Sequence, residues 1–224
     1  MPVSRSKADM AELDHIVFAT PDLAEGTQLI RELTGAEAVV GGPHIGRGTC
    51  NTLLTFDDRT YFEIIGPDPD QPEPERARGF GIDQLQAPKL VAFAIHPVGD
   101  ETLADLAATV RSAGFDPGEW MAMSRQKPDG ELLEWELTAG GDTGFRLDGA
   151  IPFAIDWLGR PSPAASLPSM GGLGAFTVQH PDPRAGEVLA ALGLGDTVNY
   201  TKGPAQLSLT IVTPKGPVKL GSPA

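Results

Sequence analysis

The 224-residue chain is 41% hydrophobic and 21% charged and carries a formal net charge of −13, a composition that fits a globular fold long enough to bury a sizeable core. So acidic a chain lacks the basic surface that would displace counterions from nucleic acid, and it is equally unsuited to an anionic membrane. Cys50, the single cysteine, excludes an intrachain disulfide and fits a reducing compartment.

Residues Met1–Glu12 carry Arg5, Lys7, Asp9 and Glu12 without the apolar stretch of a signal peptide, so a short tail and a cytoplasmic location are expected. From Leu13 to Ala19 the residues alternate as in a strand. His15, Val17 and Ala19 share one face; Asp14, Ile16 and Phe18 share the other. Thr20-Pro21-Asp22 then starts a helix, with Thr20 expected as its N-cap; Leu23, Ile30 and Leu33 form its apolar stripe and Gly35 its stop. Ala38-Val39-Val40 reads as a short strand. The glycine-rich stretch from Gly41 to Thr49 reads as a loop, followed by strands at Thr52–Phe56 and Tyr61–Ile65. The order is β-α-β-β-β.

Gly66–Pro88 is rich in Pro, Asp, Glu and Gln and reads as a connection. The order then restarts with a strand at Leu90–Ile95, a helix at Glu101–Ala113, and strands at Trp120–Arg125, Leu132–Leu137 and Ile151–Trp157. Lys127-Pro128-Asp129-Gly130 marks the turn between the second and third of these strands. A linker at 159–172 leads to a third, shorter unit at 173–224. It has a strand at Leu173–Gln179, a helix at Arg184–Leu192, and strands at Gln206–Val212 and Val218–Leu220. The recurring order marks the units as repeats. A domain over 13–158, with modules at 13–66 and 88–158, precedes the linker.

Several residues stand out chemically. In the glycine stretch His44, Arg47 and Asn51 offer an acid or base and two ligand-binding groups; the alternative is a wide turn whose glycines serve only backbone angles. Trp135 and Trp157, with Trp120 and Phe153, are either a lining for an apolar or ring-bearing ligand or plain core. Arg125 is either a fork for a substrate carboxylate or an exposed strand arginine. No Ser/His/Asp triad, CxxC pair, His-Glu-x-x-His helix or dinucleotide fingerprint is present, so no nucleotide cofactor is expected.

Leu13-Asp14-His15 with Pro21-Asp22-Leu23, the run Gly41–Asn51, Tyr61-Phe62-Glu63, Arg125 with Pro128–Trp135, and Ile151–Trp157 together resemble the vicinal oxygen chelate superfamily. This superfamily includes glyoxalase I, fosfomycin resistance proteins and extradiol dioxygenases; the chain is more closely similar to the bacterial glyoxalase-like domain family. The resemblance implies an α+β fold in which repeated β-α-β-β-β modules make a cupped mixed sheet with helices outside. It also implies metal ligands on the first and fourth strands of each module. Module one supplies His15 and Glu63, with His44 as a third candidate. In module two Val91 stands where His15 would be, and the fourth strand offers no inward Glu; in the third unit the position holds Ala175. Half a ligand set remains, for one divalent ion (Zn, Fe, Mn or Ni), and the alternative is a buried His15–Glu63 hydrogen-bonded pair.

The expected function is that of a glyoxalase-like enzyme, a lyase or isomerase acting on a small oxygenated organic molecule. It works either through a metal or by direct proton transfer at Glu63 or His44. Glyoxalase I activity itself is not expected from half a ligand set. The alternative is a non-catalytic protein that binds or sequesters a small molecule on the same fold. A homodimer is left open, and the third unit is a candidate docking surface.

Overall fold

A computed structural model describes residues 10–126, 130–139 and 147–221. The expected turn at Lys127–Asp129 lies outside the described residues; Gly130 lies within them. The first module runs β1 (Ala11–Ala19), α1 (Leu23–Thr34), β2 (Val39–His44), β3 (Thr49–Thr55) and β4 (Tyr61–Pro67). The second runs β5 (Lys89–Pro97), α2 (Leu103–Ser112), β6 (Glu119–Gln126), β7 (Leu132–Ala139) and β8 (Phe153–Asp156). Their eight strands close in the order β1-β4-β3-β2-β6-β7-β8-β5. The result is the expected cupped mixed sheet with helices outside. No described helix is long and apolar enough to cross a membrane.

Two local expectations are corrected. Asp22, rather than Thr20, caps α1: its side chain accepts from the Glu25 N–H, which leaves Thr20 outside the helix with its hydroxyl donating to the Asp22 carbonyl. The glycine stretch is only in part a loop. Gly41, Gly42, Pro43 and His44 belong to β2, which pairs antiparallel with β3 through a shift in register between Val40 and Gly42. Gly42 takes a φ of 128° there, a conformation open to glycine, and short-range pattern reading takes such glycines for a loop.

The two modules meet along two seams of unequal length. β1 and β5 pair antiparallel from Ala11↔Pro97 to Ala19↔Lys89. On the other side β2 and β6 meet only at His44↔Arg125. The alternation within each strand then divides the buried residues. One cluster, including Val17, Leu53, Ile65, Ala92, Ala94, Trp135, Phe153 and Ile155, fills the inside of the cup. The other, including Ile16, Phe18, Phe62, Phe93 and Ile95, lies behind the sheet with residues of all three helices.

The third unit has β9 (Gly172–Gln179), α3 (Arg184–Ala191), β10 (Val198–Thr201), β11 (Gln206–Thr213) and β12 (Gly216–Gly221). It has one strand more than the sequence pattern suggests, because Val198–Thr201 is short and largely polar. Its topology also differs from the modules. The order is β10-β9-β11-β12, so β10 lies parallel beside β9, whereas β2 lies at the far edge of module one. The recurrence of elements is therefore no full repeat. The sheet packs behind the cup, where Phe176 meets Phe93 edge-on with ring centroids 5.1 Å apart. The segment before β9 is also fastened, since the Met170 N–H bonds the Thr55 carbonyl at 2.9 Å.

Phe176 is fully buried, and replacing it with Ala is expected to cost about 3–5 kcal/mol. All three tryptophans lie in module two, so guanidinium unfolding followed by their fluorescence reports on the cup. A Phe176→Ala midpoint equal to that of wild type would show that the third unit does not brace it.

Candidate functional site

Side-chain alternation on five neighbouring strands sends a continuous arc of polar groups into the cup: His15 from β1, Tyr61 and Glu63 from β4, Asn51 from β3, His44 from β2 and Arg125 from β6. The other wall is apolar, with Trp135 and Leu137 from β7, Phe153 and Ile155 from β8, and Trp157 just beyond. Between them is a cavity of about 1180 Å3, ample for a small organic ligand. His15, His44, Arg47, Asn51, Glu63, Arg125, Trp135 and Trp157 all line it. Trp120 does not; it is half-exposed and its indole N–H donates to Glu136 at 2.8 Å.

Glu63 is the centre of the polar arc. His15 Nε2 stands 3.8 Å from its Oε2, and His44 Nε2 stands 3.8 Å from its Oε1. The Asn51 amide N–H2 lies between Glu63 and His44, donating to Glu63 Oε1 at 2.6 Å and facing His44 Nε2 at 3.4 Å. His44 Nδ1 is 3.0 Å from the Thr49 hydroxyl. Burial lowers the His44 pKa, with Glu63 opposing and Arg125 assisting. A neutral ring that donates from Nδ1 and accepts at Nε2 satisfies both contacts. Gly41 makes room for this arrangement, because a Cβ there would fall on Asn51 Oδ1. That oxygen is buried and has no partner among the described residues.

The residue that sequence reasoning missed is Asp14. Simple alternation puts it on the outer face with Ile16 and Phe18. A register shift between Leu13 and His15 in the pairing with β5 breaks that alternation. Asp14 is fully buried. It accepts from His15 Nδ1 at 2.6 Å, from the Trp157 indole at 2.9 Å and from His96 Nδ1 at 3.1 Å. Burial alone would raise its pKa, but the hydrogen bonds from His15 and His96 outweigh it and hold the carboxyl at about 2. With Nδ1 committed to Asp14, the other ring nitrogen of His15, Nε2, faces Glu63. Tyr61 stacks on His15, with ring centroids 4.5 Å apart; burial and the two carboxylates keep its phenol protonated, well above the usual value. The sequence signal for Asp14 was its position beside His15.

The mouth is built from the β2–β3 turn, which carries exposed Arg47, and from the strap Pro72–Gln84, expected to be a featureless connection. A short 3-10 segment, Gly79–Gln84, forms there. Arg78 fastens it, donating to both Glu73 oxygens at 3.0 and 2.8 Å, to Asp83 at 2.7 Å and to the Gly48 carbonyl at 2.8 Å. Phe80 takes a φ of 61°, uncommon for a bulky residue, and its ring lies 6.1 Å from that of Phe153.

Residues 13–193 match the glyoxalase-like domain family, and the chain belongs to that family. A hypothetical protein from Staphylococcus aureus is similar in structure over 95% of this chain and 85% of its own, with a TM-score of 0.57 at 14% identity; the shared fold therefore reaches into the third unit. Methylmalonyl-CoA epimerase from Mycobacterium tuberculosis is similar over 68% of this chain and 91% of its own, with a TM-score of 0.41 at 14% identity. A mutant 4-hydroxymandelate synthase from Streptomyces coelicolor is similar over 95% of this chain and 63% of its own, with a TM-score of 0.47 at 14% identity. The search of curated proteins gave no match.

The resemblance seen in the sequence implies a divalent ion at His15 and Glu63, and the residues present do not fit one as arranged. Among the described residues no three His, Cys, Asp or Glu side chains are placed to hold a metal. Glu63 Oε1 is already engaged by an amide N–H, and the two imidazoles approach different carboxylate oxygens. Where module two would complete a ligand set, β5 presents Ala92 and Ala94 and β8 presents Phe153 and Ile155 to the inside of the cup.

Asp14 has a folded pKa of about 2 against an ordinary 3.8. Its charge therefore stabilises the fold above about pH 4, by about 2 kcal/mol, and this contribution disappears as pH falls towards 2. Urea unfolding at stepped pH is expected to show Asp14→Asn destabilised near neutrality, with a shallower acid limb than wild type. Parallel limbs would mean that Asp14 is not the titrating group.

Proposed function

We propose that the protein is an acid–base enzyme, independent of metal, that acts on a small oxygenated organic molecule. The observation that carries this reading is the Glu63 carboxylate, enclosed in the cup with an imidazole Nε2 3.8 Å from each of its oxygens. The gaps are too long for direct hydrogen bonds; Asn51 fills the one between Oε1 and His44, and the other leaves Oε2 and His15 Nε2 open to the cavity. Glu63 takes a proton from carbon next to a carbonyl as the C–H bond breaks. The electron pair moves onto the carbonyl oxygen, and a proton at His15 Nε2 is given to that oxygen. Asp14 holds the His15 ring in the required tautomer, as carboxylates do behind catalytic histidines. Returning the proton to another carbon, or expelling a leaving group, gives isomerase or lyase chemistry. The Asn51 amide and neutral His44 keep Glu63 oriented in either case.

Small ketones and 2-oxo acids incubated with the protein in D2O, after metal removal by chelator, test this by NMR. Deuterium incorporation next to the carbonyl is expected with wild type, and a loss of about 100-fold or more with Glu63→Gln. His15→Ala/Glu63→Ala protein alongside wild type also serves elemental analysis. Exchange that needs added metal, with stoichiometric metal held by wild type alone, would sink the proposal in favour of the chelating mechanism. Saturable binding without exchange by any protein would point to the sequestering role.

A further inference from the structure

Arg125 is the one cation in the polar arc, and the chemistry above leaves it unused. It is only 5% exposed, so the exposed-arginine reading does not apply. Its Nη1 donates to the Gly41 carbonyl across the short seam. Among the described residues it has no carboxylate within ion-pair distance, although the chain as a whole is strongly acidic. Arg78, which fastens the strap, is by contrast matched by Glu73 and Asp83. Burial disfavours the charge on Arg125, and Tyr61 and Glu63 partly oppose that effect. A guanidinium has five N–H donors in a planar fork, and among the described residues the Gly41 carbonyl takes up only one side of it, which leaves most of the fork for the cavity it lines. A desolvated cation without a matching anion is costly, and an anion entering the cavity relieves that cost.

We propose that the ligand is an organic monocarboxylate with an apolar or aromatic body, its carboxylate gripped by Arg125; as the substrate class for Glu63, this rests on the acid–base reading. The position of Arg125 in the sheet defines both halves of such a molecule. On one side it pairs with His44 of β2, and on the other with Leu133 of β7, two register positions from Met123↔Trp135 and on the same face. The polar arc ends there and the apolar wall begins. A planar carboxylate matches the fork in two parallel hydrogen bonds, and the attached carbon chain then lies against Trp135, Leu137 and Ile155. A phosphate dianion fits poorly, because the described lining residues include Glu63 close by and no lysine.

Tryptophan fluorescence titration and saturation-transfer NMR on the full chain test this with phenylacetate, its neutral isostere phenylacetamide, and inorganic phosphate. Phenylacetate is expected to bind saturably, and the other two at least about tenfold more weakly. This comparison needs no variant, so it holds even if Arg125 is required for folding. Arg125→Gln is expected to lose most of that preference and Arg125→Lys part of it, while Arg111→Gln on the outside of α2 keeps it. Equal binding of acid and amide, failure of phenylacetate to bind, or an unchanged preference in folded Arg125→Gln would overturn the proposal. Carboxylate-selective binding with no deuterium exchange in any bound 2-oxo acid would sink the acid–base reading alone. Exchange in neutral ketones, with no preference for acids, would sink the ligand class alone.

Discussion

The buried Asp14 carboxylate is the constraint on which the cup depends. A charge with no access to water persists only if its oxygens are fully engaged, and three side-chain donors from three places in the chain engage this one. His15 is its neighbour in β1, His96 is near the end of β5, and Trp157 follows β8. One carboxylate thus ties the first strand of module one to the first and last strands of module two. The strand irregularity that turns Asp14 towards these donors also fixes the ring of His15 in the cavity. Folding and the orientation of a reactive side chain are satisfied by the same hydrogen bonds. His96 carries the network outwards: burial would lower its pKa, but the Asp14 carboxylate outweighs that and raises it. The stabilisation it adds is fullest at low pH and is lost as pH rises through its folded value, opposite in sense to that of Asp14.

The second, narrower seam complements the first. Pairing between β2 and β6 is confined to His44 and Arg125, so the site residues farthest from Asp14 are themselves the junction. The polar arc runs from one seam to the other through module one and ends one strand into module two. Enclosure by the apolar wall lowers the local dielectric and strengthens each interaction within the arc. That is why an amide bridge and two imidazoles around one carboxylate matter more here than they would on a surface.

Much of this architecture was legible in the amino-acid order. The alternation in β1 and β4, the helix stripes and the recurring β-α-β-β-β order specify the modules, and His15, Glu63, His44, Asn51 and Arg125 do line one cavity. What the sequence concealed had local physical causes. The strand character of Gly41–His44 was hidden because glycines needed for the bulge and for close packing against Asn51 resemble loop glycines. Asp14 was hidden because a one-residue slip in register reverses the facing of a side chain. The different connectivity of the third unit was hidden because β-α-β order is the same whether the returning strand lies adjacent or at the far edge. The strap was hidden because Arg78 draws its partners from Glu73, Asp83 and Gly48, which show no periodicity.

The division of the cavity between modules has a consequence for how such proteins diversify. The polar side chains of the cavity come almost entirely from one half of the chain, and its apolar wall comes from the other. Substitutions at Trp135, Leu137, Phe153 or Ile155 can therefore recast which molecules fit while Glu63 and its neighbours stay undisturbed. Selection can act on the two halves separately, and a drifting lineage can reshape the apolar wall before it must alter the polar arc.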